Sequence, residues 1–374
     1  MTNGIYKMIS IWEKQSLLQY DVIVVGAGIT GLSTAASLKE SKPDLHILVI
    51  ERGTLPTGAS TKNAGFACFG SISELASDRK ALGDEGMVNL VNRRYSGLQK
   101  TINRLDADRI GLLVKGGYEL LNEKTSHYIN DIDEVNDLLK PIFKSAVFKP
   151  ANEKISTFGF SGTPHLIENP FEGQVDTGML MKSLWQYCNQ LGIQIITGTE
   201  VIGVSETEVR SKDFTFSAKA VAVCTNAFTK KLIDLDLTPG RGIVMAINTK
   251  KPLKASGTFH YDEGYYYFRD YHGKLIFGGG RNLALEEEAT TDFGINSKIE
   301  EKLHHNLKEM ILPYTDYEVE MIWSGIMAFG PTKAPVVQKT KDGIYLGVRL
   351  GGMGVALGSL VGDEVSGMIL SEHF

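Results

Sequence analysis

DVIVVGAGITGLSTAASLKE, residues 21–40, decides the fold. Its apolar run Val22–Val25 is wholly β-branched, which predicts a strand buried on both faces of a parallel sheet. Gly26, Gly28 and Gly31 then complete G-x-G-x-x-G, and LSTAASLKE continues as a helix. A second apolar run, HILVIE at residues 46–51, ends in an acid, Glu51. Gly26 permits the tight turn, Gly28 lets the backbone approach a pyrophosphate, and Gly31 lets helix and strand pack closely. The diphosphate belongs at the positive helix N-terminus, where Ile29 and Thr30 begin the first turn. Glu51 stands 20 residues beyond Gly31, the place from which an acid takes ribose hydroxyls, with Arg52 beside it. An acid there disfavours a 2′-phosphate and points to FAD or NAD rather than NADP.

The following stretch, RGTLPTGASTKNAGFACFGS at residues 52–71, has small residues, hydroxyls and an amide. It reads as a poor helix and a poor strand, hence as a long functional loop laid along a ligand. Ser60, Thr61 and Asn63 are its candidate donors. ERGTLPTGASTKNAGF resembles the second signature of the D-amino-acid-oxidase-like FAD oxidoreductases, the family of glycine oxidase, sarcosine oxidase and related amine oxidoreductases. Ala59, Ser60, Asn63, Ala64 and Gly65 match that signature, and Phe66 follows it. The resemblance implies FAD as cofactor, with this segment against the diphosphate and the flavin ring. It implies an α/β fold: a FAD-binding Rossmann-like (GR2-type) domain interleaved with an α+β antiparallel-sheet substrate domain.

Composition bounds the remaining possibilities. The chain has 374 residues, 43% hydrophobic and 22% charged, with 40 glycines and a net charge of −5. That suits a soluble globular protein of about two domains. No Lys/Arg block argues for nucleic acid. Cys68, Cys188 and Cys224 are far apart and form no CxxC, which argues against a structural zinc or a dithiol pair and fits a reducing cytoplasm. The N-terminal stretch is broken by Glu13 and Lys14 and does not read as a secretory signal. Ile9, Trp12, Leu17 and Leu18 are expected to pack on the core as one face of a short helix. No apolar run is long enough to span a membrane.

Between residues 172 and 204, Leu180, Leu184, Tyr187, Cys188 and Leu191 recur at helical spacing; Gly192 stops the helix, and IQIIT reads as a strand. In similar enzymes the chain here returns to the cofactor domain, and Val201 matches a residue beside the adenine. FSAKAVAVCTNAFT, residues 216–229, reads as an apolar strand ending in small polar residues. In the family this turn also closes on the diphosphate, which assigns Thr225 and Asn226 to the cofactor. Cys224 and Cys68 lack a histidine or CxxC partner in the sequence and read as small buried hydrophobes. TFHYDEGYYYFRDYHGKLIFGGGR, residues 258–281, reads as one hairpin of the substrate sheet: an aromatic strand, the turn DYHG, then KLIFGG. The domains are therefore expected to interleave, with residues 1–85, 171–238 and 323–374 on the FAD and residues 86–170 and 239–322 around the substrate.

No metal-binding or nucleophile motif appears, and His304 and His305 read as solvated, so the chemistry falls to the cofactor. The expected reaction is oxidation of a C–N bond of an amino acid or amine by hydride transfer. Its alternatives are a FAD-dependent 2-hydroxy acid oxidase or dehydrogenase and a non-catalytic flavin-binding protein. The electron acceptor is oxygen or a respiratory carrier. The resemblance puts Arg281 near the flavin N5, where a cation tunes the ring or holds a carboxylate. Tyr265, Tyr267 and Arg269 are expected to line the pocket from one strand face. In glycine oxidase and its near relatives an arginine after the W-x-G motif grips the substrate carboxylate; here WSGIMAFGPTKAPVV, residues 323–337, places Met327 there. Arg349 and Lys333 are alternative cations.

A second glycine-rich turn, LGGMGVALGS at residues 350–359, is followed by one helix and too few residues for a second ribose-binding strand. It must serve the first cofactor. Gly354, Gly358 and Gly362 share one helix face and predict close packing. The resemblance sets Gly351, Gly352, Met353, Gly354 and Val355 at the flavin ring, where the helix N-terminus stabilises charge arriving with the hydride.

Overall fold

Val22–Val25 pairs in parallel with Ile47–Ile50 on one side and Ala220–Val223 on the other. All three strands are buried along their whole length. Both faces are covered: Val22 and Val24 pack into a helical layer, while Ile23 and Val25 pack into a second apolar cluster. That two-sided burial is why the sequence runs continuously apolar instead of alternating. The structure, a computed structural model, describes residues 8–374. Parallel strands Gln194–Ile196 and Tyr345–Val348 extend this sheet, and Val336–Lys339 closes one edge antiparallel, six strands in all.

The helical layer joins segments distant in sequence. The front helix Ile29–Ser41 lies against the terminal helix Gly354–His373, and the long helix Ile72–Leu105 crosses the latter. A Cβ on Gly358 would stand 2.5 Å from the Ile29 side chain, and one on Gly362 2.7 Å from that of Ser33. Gly354 differs: a Cβ there would meet nothing within 4 Å. The close-packing face expected of three glycines is therefore made by two. Thr101 Oγ1 donates to Ser359 Oγ at 2.7 Å, tying the third helix in.

The second sheet has eight strands. Its pairs are antiparallel apart from Thr258–Tyr261 with Gly117–Leu121. Cross-strand register puts Glu119, His260, Tyr267, Gly278, Val244 and Trp323 in one row on one face. This face looks toward the parallel sheet. The expected single hairpin over residues 258–281 is two. The chain turns at Asp262–Glu263–Gly264, all with positive φ, before the strand Tyr266–Tyr271 begins. Aromatic residues on both sides hid that turn in the sequence, and it leaves Tyr265 outside the strand.

The long helix kinks at Gly83, whose φ is +75°. The sequence division at 85/86 falls just past this kink, and that at 322/323 falls within the strand Tyr317–Phe329. The N-terminal expectation fails for the described residues. Helix Ile11–Leu17 buries none of its side chains, Trp12 is 74% exposed, and of the four apolar residues only Leu18 is buried. The N-terminal end of this helix is closed by a reciprocal capping box between Ser10 and Glu13. No helix among the described residues is long and apolar enough to cross a membrane.

Candidate active site

Residues of both sheets line a cavity of about 640 Å³. Gly26, Gly28, Ile29 and Thr30 enter its wall from the first turn, and Glu51 and Arg52 from the end of the second strand. Gly31 does not line it; a Cβ there would lie 1.9 Å from the Gly26 carbonyl oxygen, so this glycine serves packing alone. Glu51 is buried and also holds the turn: its carboxylate accepts from the N–H of Ala27 at 3.1 Å and of Gly53 at 3.0 Å. Ala27 and Gly53 were invisible as partners because both donate through the backbone N–H, which no side-chain identity marks.

The loop after Glu51 is more ordered than its composition suggests. Ala59–Lys62 makes one helical turn and Phe66–Ala67 a short strand. Ser60 Oγ accepts the N–H of Ile29 at 3.0 Å, docking this turn on the start of the front helix. Asn63 turns its amide inward: Nδ2 donates to the carbonyls of Ala59 and Ser60, and Oδ1 accepts from the N–H of Gly65 and the hydroxyl of Thr177. Thr61 bonds back to the Pro56 carbonyl and does not line the cavity. Ala59, Ser60, Asn63, Ala64, Gly65 and Phe66 all do, as do Val201, Thr225 and Asn226.

Opposite, Gly351, Gly352, Met353, Gly354 and Val355 form the wall beneath the start of the terminal helix. Asn226 supports this turn by accepting the Arg349 N–H at 3.1 Å. Two observations test the site against FAD. The N–H groups of Gly28 and Thr30, at a helix N-terminus, have no acceptor among the described residues. A Cβ on Gly354 would meet nothing of the described residues within 4 Å outside its own turn of helix. Free donors suit a diphosphate and an open glycine wall suits a flat ring, so the residues fit this cofactor.

The cations expected at the substrate end behave differently. Arg281 lines the cavity half-buried, its guanidinium 4.0 Å over the ring of Phe329. No hydrogen-bond acceptor or carboxylate among the described residues reaches it, and burial holds its pKa below the usual arginine value. Tyr267 also faces the cavity, with burial pushing its hydroxyl up to about 12, and Tyr265 lines the mouth. Arg269 is a correction. It is buried outside the cavity and clamps the loop, donating to the carbonyls of Ala64 and Val175. Lys333 is no spare cation either, being paired with buried Asp78. Arg349 lines the cavity but gives its guanidinium to the carbonyls of Asp236 and Ala334 and to Thr332. Met327 also lines the cavity.

His260 was missed in the sequence. It is buried, lines the cavity, and stands 3.5 Å from the Glu172 carboxylate, with the Cys68 thiol within 4.8 Å of both. Only its place in the sheet row would have shown this, and register is not legible in a run of aromatics.

Comparison with known proteins agrees with the fit. The family model described as DAO, FAD dependent oxidoreductase, matches residues 21–368. The chain is 22% identical over 374 residues to the bifunctional protein ThiO/ThiG of Synechocystis sp., which covers 94% of this chain and 52% of that relative. It thus spans about half that relative's length. Among solved structures it resembles glycine oxidase from Geobacillus kaustophilus, with a TM-score of 0.75 and 20% identity over 96% of each chain. L-proline dehydrogenase from P. horikoshii gives a TM-score of 0.74 and 16% identity over 96% of this chain and 95% of that one. Identities this low speak for the fold alone.

Proposed function

The chain belongs to the FAD dependent oxidoreductase family, and on that premise we propose that it oxidises a C–N bond of an amino acid or amine, with hydride transfer to the flavin. Bound FAD supplies the two-electron acceptor. The N–H groups of Gly28 and Thr30, with the Ser60 hydroxyl, hold the diphosphate, and the Glu51 carboxylate keeps lone pairs for ribose hydroxyls. The turn at Gly351, Gly352 and Met353 and the positive end of the terminal helix, at Gly354 and Val355, face the flavin ring and favour charge arriving there. In this reading residues 1–85, 171–238 and 323–374 serve the cofactor and residues 86–170 and 239–322 the substrate.

The observation that carries the substrate class is Arg281. A cavity-facing guanidinium with no acceptor of its own matches an incoming carboxylate. Arg281 then takes the grip left vacant by Met327, with Tyr265 and Tyr267 shaping the wall and Arg349 bracing the turn above. The proposed setting is cytoplasmic, with oxygen or a respiratory carrier as final electron acceptor.

The test is anaerobic bleaching of the flavin in the purified holoprotein. Glycine, sarcosine and L-proline are compared with ethylamine, which lacks the carboxylate, and with lactate, which lacks the nitrogen. Bleaching by the carboxylate-bearing amines, weakened roughly 10²-fold in Arg281→Met, is the expected result. Bleaching by lactate alone, or by no compound, overturns the amine reading.

A further inference from the structure

The geometry points to His260, with Glu172 behind it, as the group that takes the ammonium proton from the substrate. This role rests on the amine reading and adds a residue to it. An amine bound as R–NH3⁺ has no lone pair to assist loss of hydride from the adjacent carbon, so a proton must leave first. The step is a simple transfer: the N–H bond breaks, its electron pair stays on nitrogen, and the proton joins the imidazole. No oxidant is needed for it.

Four observations converge on His260. It lines the cavity in the sheet row that also presents Tyr267 and Val244. It is 6% exposed, and its Nε2 is buried without a hydrogen bond, at ion-pair distance from Glu172. The Phe66 ring, 5.1 Å away edge-on, fixes its plane beside the loop assigned to the flavin. The groups facing it from packed elements are Glu172, Glu74 in the first turn of the long helix, Glu119 on the neighbouring strand, Tyr267 and Cys68. The cations Arg94 and Lys333 also line the cavity, each paired with Asp78. Burial by itself would lower the pKa of His260; the three carboxylates outweigh it and hold the pKa above the usual histidine value. A stronger base close to neutrality suits removal of an ammonium proton.

The surroundings also favour the substrate's charge. Glu172 and Glu74 draw a cationic nitrogen toward His260, while Arg281 offers a separate anchor for a carboxylate. The two ends of an α-amino acid are thus met by groups of opposite kind.

Two measurements test this. In the first, anaerobic flavin reduction by sarcosine, glycine and L-proline is followed against pH in wild type, His260→Gln and Glu172→Gln. The wild-type rate should rise with pH through a limb above the ordinary histidine range. His260→Gln should lose that limb and slow roughly 10²-fold or more while retaining its yellow colour. Glu172→Gln should keep the limb but move it to lower pH. The second measurement needs no turnover: carbon-13 NMR of ring-labelled histidines in the holoprotein. The resonance missing from His260→Gln should titrate above the usual value in wild type and fall toward it in Glu172→Gln. If His260→Gln fails to fold, the kinetic limb of Glu172→Gln keeps the test decisive, because a limb that stays at its wild-type pH overturns the role. An unchanged pH profile in His260→Gln overturns the role alone, as does a His260 resonance that ignores Glu172→Gln. One bound zinc per chain that is lost with His260→Gln also overturns it, by making Cys68, Glu172 and His260 metal ligands. A wild-type flavin bleached by no amine sinks the amine reading itself, a result distinct from these.

Discussion

A guanidinium held half-buried over the Phe329 ring, with no hydrogen-bond acceptor among the described residues, costs folding free energy, because a ring face replaces only part of the hydration that burial removes. Arg281→Met is therefore expected to raise the melting temperature of the apoprotein by about 1–2 °C while it weakens substrate reduction. Calorimetry beside the bleaching assay checks both, and a fall in melting temperature would show that Arg281 is structural. The cysteines make a simpler case. Burial pushes the thiols of Cys188 and Cys224 up to about 12, and that of Cys68 well above its usual value. Native holoprotein at pH 8 should then take up less than one maleimide per chain, and prompt labelling of Cys68 would refute its assignment as an inert group. At this scale the local motifs were readable: Gly26, Gly28, Gly31 and Glu51 act within one βαβ unit, where spacing fixes geometry. Arg269 and His260 were not readable, because their partners Ala64, Val175 and Glu172 come from loop segments roughly 90 to 205 positions away.

Among the elements, the terminal helix separates three uses of glycine. A side chain at Gly362 collides with Ser33 and the Thr34 backbone, so Gly362→Val should destabilise the protein by about 3 kcal/mol. Gly354→Leu should leave the apoprotein nearly as stable but bind FAD more weakly, since only the cofactor's space is invaded. A Cβ on Gly367 would meet nothing within 4 Å among the described residues outside its own turn of helix, and Gly367→Ala should stabilise by about 0.5–1 kcal/mol through helix propensity. Urea unfolding with a flavin titration distinguishes the three, and equal effects would dissolve the distinction. The sequence pattern announced a small-residue face here, but not that its first glycine stands clear of the packing. The two-hairpin meander was hidden for a related reason: turns at Asp262 and Glu263 use left-handed backbone without the usual asparagine-glycine signature.

Across the whole molecule, buried titratable groups set a pH dependence of known sign. Burial raises Glu119 to about 7 despite its bonds from Ser73, and His260 is raised by the carboxylates around it. The folded state therefore binds more protons than the unfolded chain from about pH 4.5 upward, and stability falls as pH climbs through 7 and beyond. Carboxylates held low, such as Glu288 beside Arg241 and Glu40 beside Arg104, act oppositely: their contribution is lost as pH drops below the usual carboxylate range. Melting temperature is expected to be higher at pH 5.5 than at pH 8, with a shallower slope in Glu119→Gln; a flat or rising profile would contradict this. The proposed alternation of cofactor-side and substrate-side segments rests on changes in texture along the chain. The exposed N-terminal helix was not, since amphipathic spacing says which face is apolar and leaves open whether anything covers it.

The contact between Ser33 and Ser359 spans 326 positions of the chain. During translation the glycine turn and its helix leave the ribosome long before the helix that must cover them, which follows the described strands of both sheets. Until then the front helix presents an apolar flank to water, and the flavin end of the pocket has no floor. The nascent chain thus carries an uncovered front helix while the strands between it and the terminal helix are made, and cofactor capture becomes an event that locks the two helices together.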